Sequence, residues 1–408
     1  EYRDTTNGQF SLPKIDLVNN RYANLKTSID WEKYSNIPTS AIDNTFKYLF
    51  YKFKKGIFIK IKNGKLRVFL PFSNKNFINE WADKIHIDPK YGDLYGFVKR
   101  IQLASGYKFY SNAVNKSIDT WYCNNCLVRY EYPVAENDTN HPILADMLKT
   151  VCRERQLPDM EFFVNKRDFP VLKRDGTEPY TDMFDTDTLP LLSHNYNKYS
   201  PIFSMVDTPG YADIPMPTGD DWSRVCRQEG KYFPDTCNRS FEMKSNLQWK
   251  NKKPTAIFRG SSTGSGTTII TNPRLKVAYL SKITAPENGV PLLDAGIIAW
   301  NMRPRKMQGQ KYLQIIETDK LPISLASHMS PNEQADYKYI IHIQGHVSAY
   351  RLSLELGSGC CLLFVDTKYK LWYFSLLVPY EHSVPVKSDL SDLVEKVRWC
   401  RQNDEKCE

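Results

Sequence analysis

The sequence has no run of about 18 or more apolar residues, the length a helix needs to cross a bilayer. It opens on Glu1-Tyr2-Arg3-Asp4, without Met and without an apolar signal core, so the chain reads as a domain cut from a longer protein. It has no internal repeat and no low-complexity tract, and no recognised nucleic-acid motif. Cysteine offers little: the nine residues are odd in number and scattered, and Cys123-Asn-Asn-Cys126 is the one close pair. Zinc needs a second pair or histidines, so the pair reads as two reduced structural thiols. The sequons at Asn115, Asn137 and Asn238 are no more than an Asn-rich chain produces by chance, and do not establish secretion.

Hydrophobic residues make up 41%, which excludes a disordered chain. The formal charge of +9 suits an anionic ligand such as a nucleotide diphosphate, but also nucleic acid or an anionic surface. With 408 residues, two domains or two similar halves are expected.

Along the chain, residues 1–45 read as a polar arm. Alternation at 57–62 and 65–70 around Asn63-Gly64 predicts a hairpin with a type I′ turn and a solvated, lysine-rich outer face. A nucleic-acid reading of the strip between Lys52 and Arg67 is the rival. Helical spacing appears at 77–85 and 94–105, and a helix is expected over 143–155. Met160-Glu161-Phe162-Phe163-Val164 reads as a short buried strand ending in Asn165-Lys166-Arg167-Asp168-Phe169-Pro170. Charged residues at a strand's C-terminal end sit where open α/β sheets place ligands. Residues 171–250 are Pro-rich and read as loops. Asp185-Thr186-Asp187 lies among them, a triplet that can hold a diphosphate through a cation, here without a preceding apolar strand; no metal site is assigned. Beyond 250, strands at 255–258, 337–343 and 360–365 alternate with helices at 272–281 and 348–356, the pattern of parallel strands with crossovers.

Three constellations carry chemistry. In Phe258-Arg259-Gly260-Ser261-Ser262-Thr263-Gly264 a strand runs into small residues with an arginine at the junction. Small residues let backbone N–H groups approach an anion, and a guanidinium matches phosphate oxygens. In Gly345-His346-Val347-Ser348-Ala349-Tyr350-Arg351 a tight turn leads into a helix start with Arg351 one turn in, again a phosphate arrangement. In the third, Asp168 is either a general base or a partner of Arg167.

The blocks Leu157-Pro158-Asp159-Met160-Glu161 and Asn165 to Pro170 resemble the signature of the Rumi-like protein O-glucosyltransferases, glycosyltransferase family 90, which also contains fungal capsule xylosyltransferases. Ala256 to Ser261, Asn272-Pro273-Arg274, Tyr337-Lys338-Tyr339 and Gly345 to Arg351 are similar to further family blocks. So are Pro379, His382, Pro385, Val386 and Asp389-Leu390. With the first two stretches counted as one signature, six ordered blocks span residues 157–395. Ala349 and Ser383 depart from the pattern, where relatives carry Ser and Tyr.

The resemblance implies an α/β, GT-B-like fold of two Rossmann-like domains facing a central cleft. The expected division is an arm with hairpin and helices at 1–110, an acceptor domain at 111–248 and a donor domain at 249–408. The implied reaction transfers glucose or xylose from a UDP-sugar to a hydroxyl of a protein or glycan, with inversion and without metal or cofactor. Asp168 is the implied base. Arg259 and Arg351 would hold the diphosphate, with Gly260, Ser261, Gly345, Ser348 and Tyr350 around the donor; Arg167, Tyr211 and Asp213 would flank the acceptor. The Lys-, Asn- and Tyr-rich composition looks like members encoded by large DNA viruses, which points to a viral factory in host cytoplasm, with the secretory lumen as the alternative. No nucleic-acid partner and no membrane span are expected. The rival reading is a non-catalytic nucleotide- or glycan-binding module of the same fold.

Overall fold

The computed structural model describes residues 14–15, 39–53, 55–74, 126–128, 140–180, 196–230, 242–307 and 313–408. The helical spacings at 77–85 and 94–105, most of the polar arm, Asp185-Thr186-Asp187, Cys123 and the three sequons lie outside them. The chain divides into two compact units, Glu1–Ile85 with Lys108–Thr236, and His86–Tyr107 with Cys237–Glu408.

The first unit holds strands β1 (Lys14–Ile15), β2 (Lys55–Lys62), β3 (Lys65–Asn74), β4 (Cys126–Val128), β5 (Met160–Asn165), β6 (Ile202–Ser204) and β7 (Ile214–Pro215), ordered β1-β4-β3-β2-β5-β6-β7 in one sheet. Asn63 and Gly64 both take positive φ, 52° and 67°, the two left-handed positions of a type I′ turn, so β2 and β3 form the expected hairpin. Its outer face is solvated only toward the turn, where Lys65 is exposed. Ile57, Phe58 and Ile59 are all fully buried, and β2 lies inside the sheet, paired to β3 on one side and β5 on the other. Ile57 and Ile59 pack with Leu144, Leu148 and Phe162, while Phe58 meets Phe163 at 5.2 Å. Two cations of the expected basic strip are paired internally: Lys52 is buried against Glu178, and Lys60 lies 3.4 Å from Glu161. The sheet is mixed, parallel at β5–β6 and β6–β7 and antiparallel elsewhere, so the first unit departs from the all-parallel pattern of a Rossmann-like half.

Helix Asn140–Glu154 covers the predicted 143–155 segment. Helix Gly219–Gln228 lies where loops were expected. Thr218 caps it by accepting from the Asp221 amide, and Asp221 returns a bond to the Thr218 amide. That reciprocal pair was legible as Thr-x-x-Asp but was masked by the surrounding prolines.

The second unit is built on β8 (Lys253–Ser261), β9 (Leu293–Ala299), β12 (Tyr337–His342), β13 (Cys361–Val365) and β14 (Val384–Val386), all parallel, with β10 (Arg305–Lys306) and β11 (Leu313–Gln314) as a separate pair. Sheet order is β14-β13-β12-β8-β9. Helix Pro273–Ile283 supplies Leu275 and Val277, and helix Leu393–Gln402 supplies Leu393, Val397 and Cys400, to a core shared with Tyr339, Ile341 and Leu363. The chain leaves β8 to one side for β9, then returns to the other side for β12. Loops after β8 and β12 therefore flank a topological switch point, where open α/β sheets bind ligands.

Candidate active site

The loop after β8 is held from below by one side chain. Asn272 donates from Nδ2 to the carbonyls of Ser262 (3.2 Å) and Gly266 (3.0 Å), while its Oδ1 accepts the Arg274 amide at 2.9 Å and caps the helix that Pro273 begins. A Cβ on Gly266 would stand 2.1 Å from the Thr271 carbonyl oxygen, so only glycine fits that bend. A Cβ on Gly345 would stand 3.0 Å from Thr263 Oγ1, so the loops after β8 and β12 close tightly on each other.

The arginines are arranged differently from expectation. Arg259 was placed at a strand–loop junction; it lies inside β8, which continues through Gly260 to Ser261. Its guanidinium turns toward β9, donating to the Asp294 carboxylate and to the Asp294 carbonyl, each at 2.7 Å. Tyr337 donates to the same carboxylate at 2.6 Å. Phe258, one residue earlier, faces the other side of the sheet because side chains alternate along a strand. Against that ring lie the guanidinium carbons of Arg351 (5.4 Å) and Arg274 (5.7 Å). Arg259 and Arg351 therefore occupy opposite faces of β8, and the guanidinium that converges with Arg351 is that of Arg274.

Arg274 is buried and held by oxygen atoms only: Gln344 and Ile343 carbonyls at 3.0 Å, the Ser261 carbonyl at 3.1 Å and Thr263 Oγ1 at 2.6 Å. Burial, with Arg351 beside it, pulls its pKa down to about 9. Arg351 donates to the Arg259 carbonyl at 2.7 Å and pairs with Glu355 at 2.7 Å, its side chain 30% exposed. The helix expected to start at Ser348 starts at Leu352 and has five residues. Ser348 and Tyr350 thus belong to the preceding turn, half-buried.

Arg305 joins the same loop, donating to Gly264 (2.7 Å) and Ser262 (2.9 Å) carbonyls; burial and Arg303 lower its pKa to about 10. His346 accepts the Gly264 amide at Nδ1 (3.4 Å) and meets Asn301 Oδ1 with Nε2 (3.1 Å), the pattern of a neutral ring. Burial, then Arg303 and Arg305, push its pKa down to about 3. Asn272, Arg274, Arg305 and His346 were assigned no role from sequence. Asn-Pro-Arg at a helix start was a readable signal for the first two; Arg305 had none.

In the first unit, Asp168 is exposed on the turn after β5. Asn165 builds that turn, accepting the Arg167 amide (2.8 Å) and donating to the Phe169 carbonyl (2.7 Å) and Ser204 Oγ (3.0 Å). Arg167 reaches away, donating to the Phe53 carbonyl at 2.8 Å. Asp213 was expected beside the acceptor. It is buried instead, accepting the Val171 and Leu172 amides (2.9 and 2.8 Å) and the Ser204 hydroxyl (2.5 Å), so it fixes the backbone that follows the turn. Burial raises its pKa to about 6. Tyr180 donates to the Pro170 carbonyl at 2.9 Å and packs on Phe169 at 4.4 Å; Tyr211 lies 6.5 Å beyond, half-buried, so the turn borders an aromatic shelf.

A mixed sheet carrying an exposed carboxylate turn, and a parallel sheet with buried arginines at its switch point, define an α/β protein. The Glycosyl transferase family 90 model matches residues 140–408, and the chain belongs to that family. It is 43% identical to protein 035R of Invertebrate iridescent virus 3, over 97% of this chain and 36% of that protein. It is 42% identical to protein 179R of Invertebrate iridescent virus 6, over 99% and 38%. To human Protein O-glucosyltransferase 3 it is 29% identical, over 64% and 43%. The chain thus spans less than half the length of these relatives, and the viral ones support the expectation of a virus-encoded member. Among the described residues no helix is long and apolar enough to cross a membrane.

Proposed function

We propose that this chain carries the catalytic portion of an inverting glycosyltransferase that moves glucose or xylose from a UDP-sugar to a hydroxyl of a protein or glycan. The similarity to proteins named O-glucosyltransferases favours a protein acceptor. The observation that carries the donor reading is Arg274 and Arg305, buried at the switch-point loops on carbonyl and hydroxyl oxygens. Together with Arg351 they leave positive charge that a diphosphate would satisfy. In the proposed step the acceptor oxygen bonds to the anomeric carbon as the bond to UDP breaks. Asp168 takes the hydroxyl proton, and UDP leaves with the negative charge that the guanidiniums stabilise. The GT-B-like arrangement and the absence of a metal from this step belong to the same proposal.

The test is a thermal-shift screen over UDP-sugars followed by a transfer assay. A ligand at 100 times its Kd stabilises by about 2.7 kcal/mol. Stabilisation by a UDP-sugar with transfer retained in EDTA supports the proposal. Binding without transfer or hydrolysis identifies a binding module instead. Transfer lost to EDTA at unchanged melting temperature and restored by manganese would promote Asp185-Thr186-Asp187 to a metal site.

A further inference from the structure

Three cysteines distant in sequence meet inside the second unit. The sulfurs of Cys361, Cys400 and Cys407 lie within 4.8 Å of one another, and the residues are 8%, 0% and 9% exposed. Cys361 opens β13, Cys400 sits in the last turn of helix Leu393–Gln402, and Cys407 closes the final turn Asp404–Cys407. All three are free thiols. A disulfide between two of them would need a separation of about 2.05 Å and leave the third over.

A second observation points to the same place. Tyr339 is the Cα partner of Cys361 across β12 and β13, so both side chains leave the sheet on one face. The Tyr339 ring is fully buried, yet its hydroxyl has no hydrogen-bond partner. The ionisable groups that act on that hydroxyl are Asp404, Cys400, Cys407 and Cys361. A buried hydroxyl without a partner is uncommon in folded proteins and marks a place where a water or an ion belongs.

We propose that Cys361, Cys400 and Cys407 bind one structural zinc ion as three thiolates, with the fourth position open toward the Tyr339 hydroxyl. Tetrahedral zinc with Zn–S near 2.3 Å places sulfurs about 3.8 Å apart, so the cluster needs only a contraction of about an ångström. On binding, each S–H bond is exchanged for an S–Zn bond and the proton passes to solvent. Three thiolates and Zn²⁺ leave one negative charge. Lys338, whose ammonium holds Asp404 at 2.7 Å in the same final turn, is a cation whose charge also acts on Cys407. Trp249 donates to Asp404 at 3.1 Å and closes this end. The site sits where β13 begins, whereas the cationic loops follow the ends of β8 and β12. The ion would therefore fasten the last two helical turns to the sheet and take no part in transfer.

The test is metal analysis of the purified, reduced chain by plasma mass spectrometry. About one zinc per chain is expected after dialysis, with Cys361→Ser, Cys400→Ser and Cys407→Ser each losing it and Cys152→Ser, outside the cluster, keeping it. Because a buried substitution can unfold the chain, two measurements use the unaltered protein. A thiol-specific mercurial should release the zinc to a metallochromic dye, and cobalt exchanged into the site should show a sulfur-to-metal charge-transfer band. The proposal is overturned if the reduced chain, offered equimolar zinc, dialyses metal-free. It is equally overturned if native protein contains a disulfide between any two of the three cysteines.

Discussion

In the first unit the carboxylate proposed as the base is exposed and its supports are buried. Asp168 stands on a turn that Asn165, Ser204 and Asp213 hold from within. In the second unit the charges are themselves inside: Arg274 and Arg305 are buried among carbonyl oxygens, and Arg351 keeps a side chain 30% exposed. A general base must be reached by the acceptor, which exposure provides. A phosphate cradle gains strength from removal of water, because electrostatic interactions grow as the dielectric falls. The two regions should therefore fail differently when altered: the first by losing rate with the fold intact, the second by losing affinity and stability together.

The largest expected effect is on rate. Asp168→Asn keeps the shape of an exposed turn residue and removes the proton acceptor, so transfer should fall by about 10²–10⁴ while melting temperature and UDP affinity hold. Near-normal transfer by the folded variant would remove Asp168 as the base. Next comes Arg351→Ala, which should weaken UDP binding about tenfold to a hundredfold by calorimetry, the loss of a charge-assisted bond worth roughly 1.5–3 kcal/mol. Arg259→Ala sharpens the contrast. Its guanidinium serves Asp294 on the opposite face, so it should cost about 1 kcal/mol of stability, the partly exposed Asp294 screening the loss, with UDP affinity little changed. Equal loss of affinity in both variants would show that the two arginines do converge on the donor. Asn272→Ala removes a helix cap, which costs about 0.5–2 kcal/mol in chemical denaturation, and frees the loop after β8.

The smallest effect is on acid stability. His346 has its pKa lowered from 6.5 to about 3, so the unfolded chain binds its proton first, and stability falls as pH drops through that window. Asp213 has its pKa raised from 3.8 to about 6, so the sign reverses and stability falls as pH rises between those values. His346→Gln should flatten the first trend and Asp213→Asn the second, read from melting temperatures between pH 4 and pH 7. Parallel pH profiles for both variants and the unaltered chain would contradict these burials.

What could be read from the residues alone was local. Asn63-Gly64 declared its turn because only such residues accept two positive φ values. The alternation of strand and crossover beyond residue 250 declared a parallel sheet, and the family blocks pointed to Asp168, Arg259 and Arg351 as the residues to examine. Side-chain direction was not readable, because it depends on where a strand ends. Had β8 stopped at Phe258, Arg259 would stand in the loop; since β8 runs to Ser261, strict alternation sends its guanidinium to Asp294. The hairpin's solvated face failed at Phe58 for a similar reason. Period two shows which residues share a side, but only packing above and below the sheet decides whether a side is covered. Sequence supplied the chemistry of each residue and the turns it favours. Tertiary structure decided which charges are buried, because burial arises from neighbours distant in the chain, as with Lys52 and Glu178 or the three sulfurs of Cys361, Cys400 and Cys407.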